Sequence, residues 1–190
     1  MKPSQIDTFF RTLSQKWPYP TKIILTGGGY ALLQGGSRTT EDLDFEVETK
    51  NMEQFTDALK ETSFATGIPP QFSEDIDHWS QISYLDYKAE SRLYKKFGKI
   101  GVYLPTVIHW GIGKVTRYLN QDVTDLISVY KKNRPDPIRV AKKWREAITK
   151  SPRSNALFLA KKNMLSFFQN HGKKIWGKKI DLGEVQRILS

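Results

Sequence analysis

Two aspartates one residue apart, Asp42 and Asp44, are the residues of this sequence best suited to chemistry. They lie in the segment DLDFEV (42–47), where acidic and apolar residues alternate as in a β-strand with one buried face. Two carboxylates on the same side of a strand repel each other unless a cation lies between them. Mg²⁺ (or Mn²⁺) prefers oxygen ligands and often binds carboxylates together with substrate phosphates. The pair therefore predicts a divalent metal site, and the alternative is an acidic strand edge that faces solvent.

Consecutive glycines precede this pair. Gly28 and Gly29 stand between a short β-branched segment, 22–26, which we interpret as a buried strand, and the short helical segment 30–34. Glycine lets a phosphate approach the backbone, and the start of a helix presents free N–H groups to an anion. The dinucleotide-binding and P-loop spacings are both absent, so the glycines alone favour a packing role over a functional one. Together with the carboxylate pair they predict a site for a nucleotide and a metal ion.

These residues resemble the signature of the nucleotidyltransferase superfamily, which includes DNA polymerase beta, the CCA-adding enzymes and the abortive-infection type toxins of bacterial toxin–antitoxin systems. The resemblance depends on Gly28-Gly29, Ala31-Leu32, Gly35, Arg38, Thr40 and Asp42-Leu43-Asp44. A second block, 102–126, is similar to the toxin-like branch, in which a strand and a proline turn lead to a helix with basic and then acidic residues. Here those residues are Lys114, Arg117, Asp122 and Asp125.

The resemblance implies transfer of a nucleoside monophosphate. In the family, carboxylate-bound Mg²⁺ bridges the phosphates of a nucleoside triphosphate, and an acceptor hydroxyl attacks the α-phosphorus while pyrophosphate leaves. Asp42 and Asp44 would hold the metal and be catalytic. Nucleotide contacts are expected from Gly28, Gly29, Ser37, Arg38, Thr40, Lys114 and Arg117.

Three of these assignments leave alternatives open. Active members of the family usually carry a third acidic residue on a later strand, and Asp86 in the segment ISYLDYK is our candidate, with Asp77 as the next choice. Arg38 would instead form a salt bridge to Glu41 or Asp42. For Lys114 the alternative is a solvated helix edge.

Charge is divided unevenly along the chain. Residues 1–90 contain 8 Lys/Arg and 14 Asp/Glu, whereas residues 91–190 contain 22 and 6. A basic half suits a polyanion, so we expect an RNA acceptor, with a tRNA-like end by family analogy. The segments KKWREAITKSPR and GKKIWGKK are the best candidates for phosphate-backbone contacts. The alternative is a lysine-rich surface that only keeps the protein in solution.

Other functions are compatible with the same motifs. One is a non-catalytic module that binds a nucleotide, or a cognate antitoxin or toxin protein, within a toxin–antitoxin system. Another is a small-molecule enzyme of the aminoglycoside-modifying kind, which the basic half disfavours because it would repel a cationic drug.

The expected fold class is α/β, with a small mixed sheet flanked by helices. The resemblance and the pattern predict a nucleotidyltransferase-like catalytic lobe at 1–104 and a basic helical lobe at 105–190. Helices are expected near 4–17, 51–64, 114–130, 136–149 and 154–170 and from 181, with Phe64 facing inward. Strands are expected at 22–26, 42–47, 79–87 and 99–105, and a loop at 67–77.

Composition excludes several classes of protein. The sequence contains 0 Cys, which rules out disulfides and thiolate metal sites. It contains no run of about 18 apolar residues and no basic and apolar leader at its start, so we expect no membrane contact and a cytoplasmic location.

Overall fold

The computed structural model describes residues 1–178 and 180–190, with only the backbone of residues 78 and 79. The predicted fold class is confirmed: in this described part, one open five-stranded mixed sheet is flanked by helices, and a helical region follows it. The chain divides into two compact units. The first contains Met1–Leu33, Thr39–Ile76 and Lys88–Pro105, and the second contains Gln34–Arg38, Asp77–Tyr87 and Thr106–Ser190.

The sheet belongs to the first unit. Up to the end of the last strand, the elements in chain order are α1 (Pro3–Lys16), β1 (Thr21–Leu25), α2 (Gly27–Leu33), β2 (Leu43–Glu48), α3 (Met52–Thr66), β3 (Pro70–Ser73), a 3₁₀ turn (Ile76–Trp79), α4 (Tyr87–Glu90), β4 (Arg92–Phe97) and β5 (Ile100–Leu104). The strand order is β3-β2-β1-β5-β4. β1 is antiparallel to β2 and parallel to β5, β2 is parallel to β3, and β4 is antiparallel to β5.

Helix α3 shows where helical periodicity succeeds and where it fails. Asn51 caps the helix by accepting a hydrogen bond from the Gln54 backbone N–H at 3.1 Å. Phe55 and Leu59 are buried, as predicted, but Phe64 is 95% exposed and the prediction that it faces inward is wrong. Five residues rotate a helix by about 140° beyond a full turn, which takes Phe64 off the buried face that Leu59 shares.

Two predictions between β2 and β5 are wrong. Residues 79–87 form no strand, because they run from the 3₁₀ turn into α4, and the Tyr84 backbone N–H binds Asp77 Oδ1 at 2.7 Å. Residues 67–77 are not simply loop, since they contain β3. This strand begins with Pro70 at the sheet edge, a position where proline is tolerated, and Phe72 stacks on Phe45 with ring centroids 6.0 Å apart.

Strand β4 was not anticipated by any sequence pattern. Five of its six residues are exposed, so it lacks the apolar alternation of a half-buried strand. Its basic residues, Arg92, Lys95 and Lys96, are typical of an edge strand, where charge discourages pairing with another sheet.

The second unit consists mainly of helices. They are α5 (Val107–Arg117), α6 (Asn120–Asn133), α7 (Pro137–Lys150), α8 (Asn155–Trp176) and α9 (Leu182–Leu189). The single helix predicted at 114–130 is two helices, because Tyr118 adopts a left-handed conformation with φ 53° and ends α5. Within the described residues, no helix is long and apolar enough to cross a membrane.

Candidate functional site

The glycines of the first unit lie directly against the predicted carboxylates. The Thr26 backbone N–H donates to the Asp44 carbonyl oxygen at 2.8 Å, which joins the end of β1 to β2. Gly27 has φ +60°, and a Cβ there would overlap the Asp44 carboxylate. A Cβ at Gly28 would lie 2.6 Å from Thr40 Oγ1. Only glycine fits at these two positions, so the start of α2 and the carboxylates share one compact site.

Gly29 plays a different part. A Cβ there would lie 2.8 Å from a methyl group of Leu43, so this glycine lets α2 pack on the core side of β2. Helix α2 has only 7 residues, which gives it a small dipole. The glycines therefore act mainly by lacking a side chain, which leaves room for Asp44, Thr40 and Leu43.

Polar neighbours hold Asp42 in place on both oxygens. Its Oδ1 accepts a hydrogen bond from Thr40 Oγ1 at 3.0 Å, and its Oδ2 accepts one from Gln71 Nε2 at 3.0 Å. Each carboxylate oxygen has about two lone-pair directions, so both oxygens can still bind a cation. Asp44 lies on β2 directly opposite Gln71 of β3, and Asp42 and Asp44 are both half-buried. The two carboxylates supply the hard oxygen ligands that Mg²⁺ prefers.

The third acidic residue of the same strand face has a structural role. Glu46 is 3% exposed, and its side chain accepts a hydrogen bond from the Ile76 backbone N–H at 2.9 Å. Lys88 Nζ lies 2.9 Å from the other Glu46 oxygen and neutralises it. A buried carboxylate is stable only when it is paired and hydrogen-bonded. Glu46 therefore serves to anchor the segment that follows the edge strand β3 to β2.

Asp86, the predicted third catalytic carboxylate, belongs to the second unit. Its Oδ1 lies 3.2 Å from Lys143 Nζ and 3.4 Å from His109 Nε2. A hydrogen bond from its own backbone N–H lowers the pKa of Asp86, and Lys143 lowers it further. The Asp86 carboxylate and the His109 imidazole are both of types that ligate metal ions. Asp77, the second choice, binds the Tyr84 backbone N–H.

A chain of alternating charges forms in the second unit. Lys114 Nζ lies 2.8 Å from Asp125 Oδ2 and 3.2 Å from Asp122 Oδ1. Arg117 binds Asp122 through Nε at 2.8 Å and Nη2 at 2.6 Å. Arg38 reaches Asp125 through Nε and Nη2, each at 3.3 Å. We call these five residues the charge chain. Three cations and two anions give it an excess of one positive charge.

The charge chain bears on two of the open alternatives. Lys114 is 4% exposed, so the solvated helix edge is wrong, and Arg38 forms a salt bridge to Asp125. Asp122 and Asp125 are also buried, because the turn at Tyr118 folds α6 back so that its acids face Lys114. Burial raises the pKa of Asp122, but the Arg117 hydrogen bonds and the Lys114 charge outweigh it and keep that pKa below its usual range.

The predicted site residues thus form two groups. Gly28, Gly29, Thr40, Asp42 and Asp44 come together in the first unit. Ser37, Arg38, Lys114 and Arg117 belong to the second, where Ser37 Oγ lies 3.0 Å from Ser128 Oγ. Lys179, in the second basic segment singled out for RNA contacts, lies outside the described residues.

Sequence reasoning missed Gln71. Its segment has no alternation of its own, and only the register of β3 on β2 places it beside the aspartates. Gln71 could have been found by assuming that a strand pairs with β2 and places a polar side chain beside the aspartates.

No family model matches this sequence, and neither a curated protein nor a solved structure matches it. Function is therefore inferred from the residues of this chain and their geometry.

Proposed function

We propose that this protein is a metal-dependent nucleotidyltransferase, which moves a nucleoside monophosphate from a nucleoside triphosphate to an acceptor hydroxyl, with RNA as the acceptor and a tRNA-like end as its expected form. The main support is the compact arrangement of Asp42 and Asp44 against Gly27 and Gly28. The Asp44 carboxylate and the Thr40 hydroxyl fill the space that a Cβ would take at Gly27 and Gly28, and each Asp42 oxygen accepts one hydrogen bond. Such a place can accept a cation and a polyphosphate together.

The donor set fits Mg²⁺ (or Mn²⁺), which would be held by Asp42 and Asp44. When bound, the ion would neutralise phosphate charge and stabilise the leaving pyrophosphate. The residues around the pair have supporting roles. Thr40 and Gln71 fix the orientation of the Asp42 carboxylate, as the outer hydrogen-bond partners of metal ligands commonly do.

The basic residues have two roles: the arginines contact phosphate, and the lysine positions the arginines. The side chains of Arg117 and Arg38 are 56% and 33% exposed, so each can offer guanidinium donors to a phosphate while it keeps its carboxylate partner. Lys114 is buried between Asp122 and Asp125, which makes it a positioning residue for the arginines. We assign Ser37 to the phosphate contacts together with the arginines, since its hydroxyl lies at the exposed surface.

Transfer of label tests the proposal. The protein is incubated with each α-³²P-labelled nucleoside triphosphate, Mg²⁺ and total RNA, in parallel with the Asp42→Asn/Asp44→Asn variant. A matched control is Glu53→Gln/Glu61→Gln, which removes the same charge from exposed positions of α3. We expect label on RNA with the wild type and the control and none with the aspartate variant. Equal labelling by the aspartate variant, or label on the protein alone, would contradict RNA transfer at this site.

One observation favours a second candidate, a non-catalytic module that binds a nucleotide or a partner protein in a toxin–antitoxin system. The β3 residue opposite Asp44 is Gln71, an amide where a third carboxylate would complete the metal ligands, and it donates to Asp42. The module would bind Mg²⁺ and nucleotide without labelling any acceptor. In that case Gln71→Asp should tighten Mg²⁺ binding in calorimetry, with Gln71→Asn as the matched control, and a cognate protein should co-purify.

A further inference from the structure

A basic cleft of about 630 Å³ lies in the first unit, at the end of the sheet where β1 begins. Its charged and aromatic lining residues are Lys22, Glu48, Lys50, Lys96, Lys99 and Tyr103. We call it the lysine cleft. Four cations and one anion leave it with an excess of three positive charges.

The sheet register explains how these residues come together. Glu48 of β2 is opposite Lys22 of β1, Lys22 is beside Gly101 of β5, and Gly101 is opposite Lys96 of β4. Directly paired residues point to the same side of a sheet, so the row crosses four strands on one face. Gly101 leaves a gap in this row, and the Tyr103 ring folds back over it, since a Cβ at Gly101 would lie 2.8 Å from the ring.

The aromatic ring also helps to hold one of the cations. Lys22 Nζ lies 5.3 Å from the centroid of the Tyr103 ring, within range of a cation–π interaction. This contact fixes the ammonium group over the ring without neutralising its charge. An anion in the cleft can therefore still pair with Lys22.

The cleft lysines differ from other lysines of the same unit. Lys16, Lys60 and Lys95 each form a salt bridge, to Glu61, Asp57 and Asp7 respectively. Among the residues that the structure describes, no salt bridge joins a cleft lysine to an acid, and Lys50, Lys96 and Lys99 are exposed. The positive charge of the cleft is thus available to an external anion.

The lysine cleft is separate from the aspartate pair. Lys22 lies near the start of β1 and Thr26 follows its end, and four residues of strand span about 13 Å. The carboxylates and glycines lie at the Thr26 end of β1. The cleft therefore contains none of the residues assigned to nucleotide or metal.

We propose that the lysine cleft binds the phosphate backbone of single-stranded RNA. Its lysines come from β1, from β4 and from two connecting segments, and they surround an open cleft instead of converging on one point, as they would around a single phosphate. Spread point charges suit successive phosphates of a flexible chain and give affinity without base selectivity. The choice of RNA depends on the proposed function, and the cleft would be where the acceptor strand docks.

Salt dependence of RNA binding tests this proposal. Each phosphate contact with a single strand contributes about −0.7 to the slope of log K against log salt concentration. Lys96→Gln/Lys99→Gln should therefore reduce the magnitude of the slope by about 1.4. The loss of affinity between 50 and 200 mM salt should then be about sevenfold smaller in the variant than in the wild type. The matched control, Lys16→Gln/Lys60→Gln, removes equal charge outside the cleft and should leave the slope unchanged. Binding of a labelled oligoribonucleotide is followed by fluorescence anisotropy without nucleoside triphosphate.

Further arms separate the outcomes. An unchanged slope in the cleft variant, or an equal loss in the control, would overturn the proposal. Inorganic tripolyphosphate that competes as well as RNA, at equal phosphate concentration, would assign the cleft to a small anion and overturn it too. The anisotropy assay contains no nucleoside triphosphate and reports RNA binding alone, whereas label transfer reports the reaction, so failure of the cleft and failure of the transfer reaction are distinguishable.

Discussion

Replacement of Lys114 by methionine should destabilise the second unit more than any single change at its surface. The Lys114 ammonium lies within 3.2 Å of carboxylate oxygens of both Asp122 and Asp125, and all three side chains are at least 95% buried. Methionine is of similar length and is apolar, so it removes the charge and leaves little cavity. What remains is a pair of buried carboxylates with one cation fewer.

The size of the effect follows from the partners that are left. Breaking a buried ion pair by removal of one partner costs about 3–5 kcal/mol, because it leaves an uncompensated buried charge. Arg117 still binds Asp122 and Arg38 still binds Asp125, so we expect the lower end, about 3 kcal/mol. For a chain of this length that corresponds to a fall in Tm of roughly 6–12 °C.

Urea unfolding followed by tryptophan fluorescence measures the loss, since Trp110 and Trp144 are buried in the second unit. The Trp110 ring centroid is 5.6 Å from Lys114 Nζ and reports on this region directly. Lys162→Met, at an exposed position of α8, is the matched control and should change stability by less than about 0.5 kcal/mol. A loss below about 1 kcal/mol for Lys114→Met would refute the view that Lys114 neutralises these acids.

Three further predictions concern the site, the charge chain and the core. Gly27→Ala should weaken Mg²⁺ binding measured by calorimetry, because the new methyl displaces the Asp44 carboxylate and φ +60° disfavours alanine. The folded-state pKa of Asp122 is lowered, so its ionised form adds stability above its unfolded pKa of about 3.9, and this is lost as pH falls through the folded pKa. Asp122→Asn should thus be less stable at pH 7 and lose less stability below about pH 4, as urea midpoints across pH would show. Phe55→Ala should cost about 3–5 kcal/mol, whereas Phe64→Ala should cost less than about 0.5, in the same urea assay.

Clear results would contradict each expectation. Unchanged Mg²⁺ affinity in Gly27→Ala would mean that Asp44 does not bind the ion. A pH profile of Asp122→Asn parallel to that of the wild type would place the acid-sensitive group elsewhere. Equal losses at Phe55 and Phe64 would contradict the orientation of α3.

Local patterns in the sequence were sufficient for much of the fold. The alternation in DLDFEV predicted β2, and the apolar spacing of residues 4–17 predicted α1, because the period of a strand or helix is written in adjacent residues. Asn51 marked the start of α3 for a similar reason, since a cap bonds to a backbone group three residues away.

Only the tertiary structure decided which distant residues meet. Arg38 and Asp125 are 87 residues apart, and no local pattern distinguishes a buried Lys114 from one on a solvated helix edge. Gln71 joins the aspartates through strand register, which depends on how β3 packs on β2 and not on its own residues. The residues that can do chemistry were therefore determined by the sequence, whereas their partners and charge environment were determined by long-range packing, because burial and ion pairing depend on contacts between segments that are far apart in the chain.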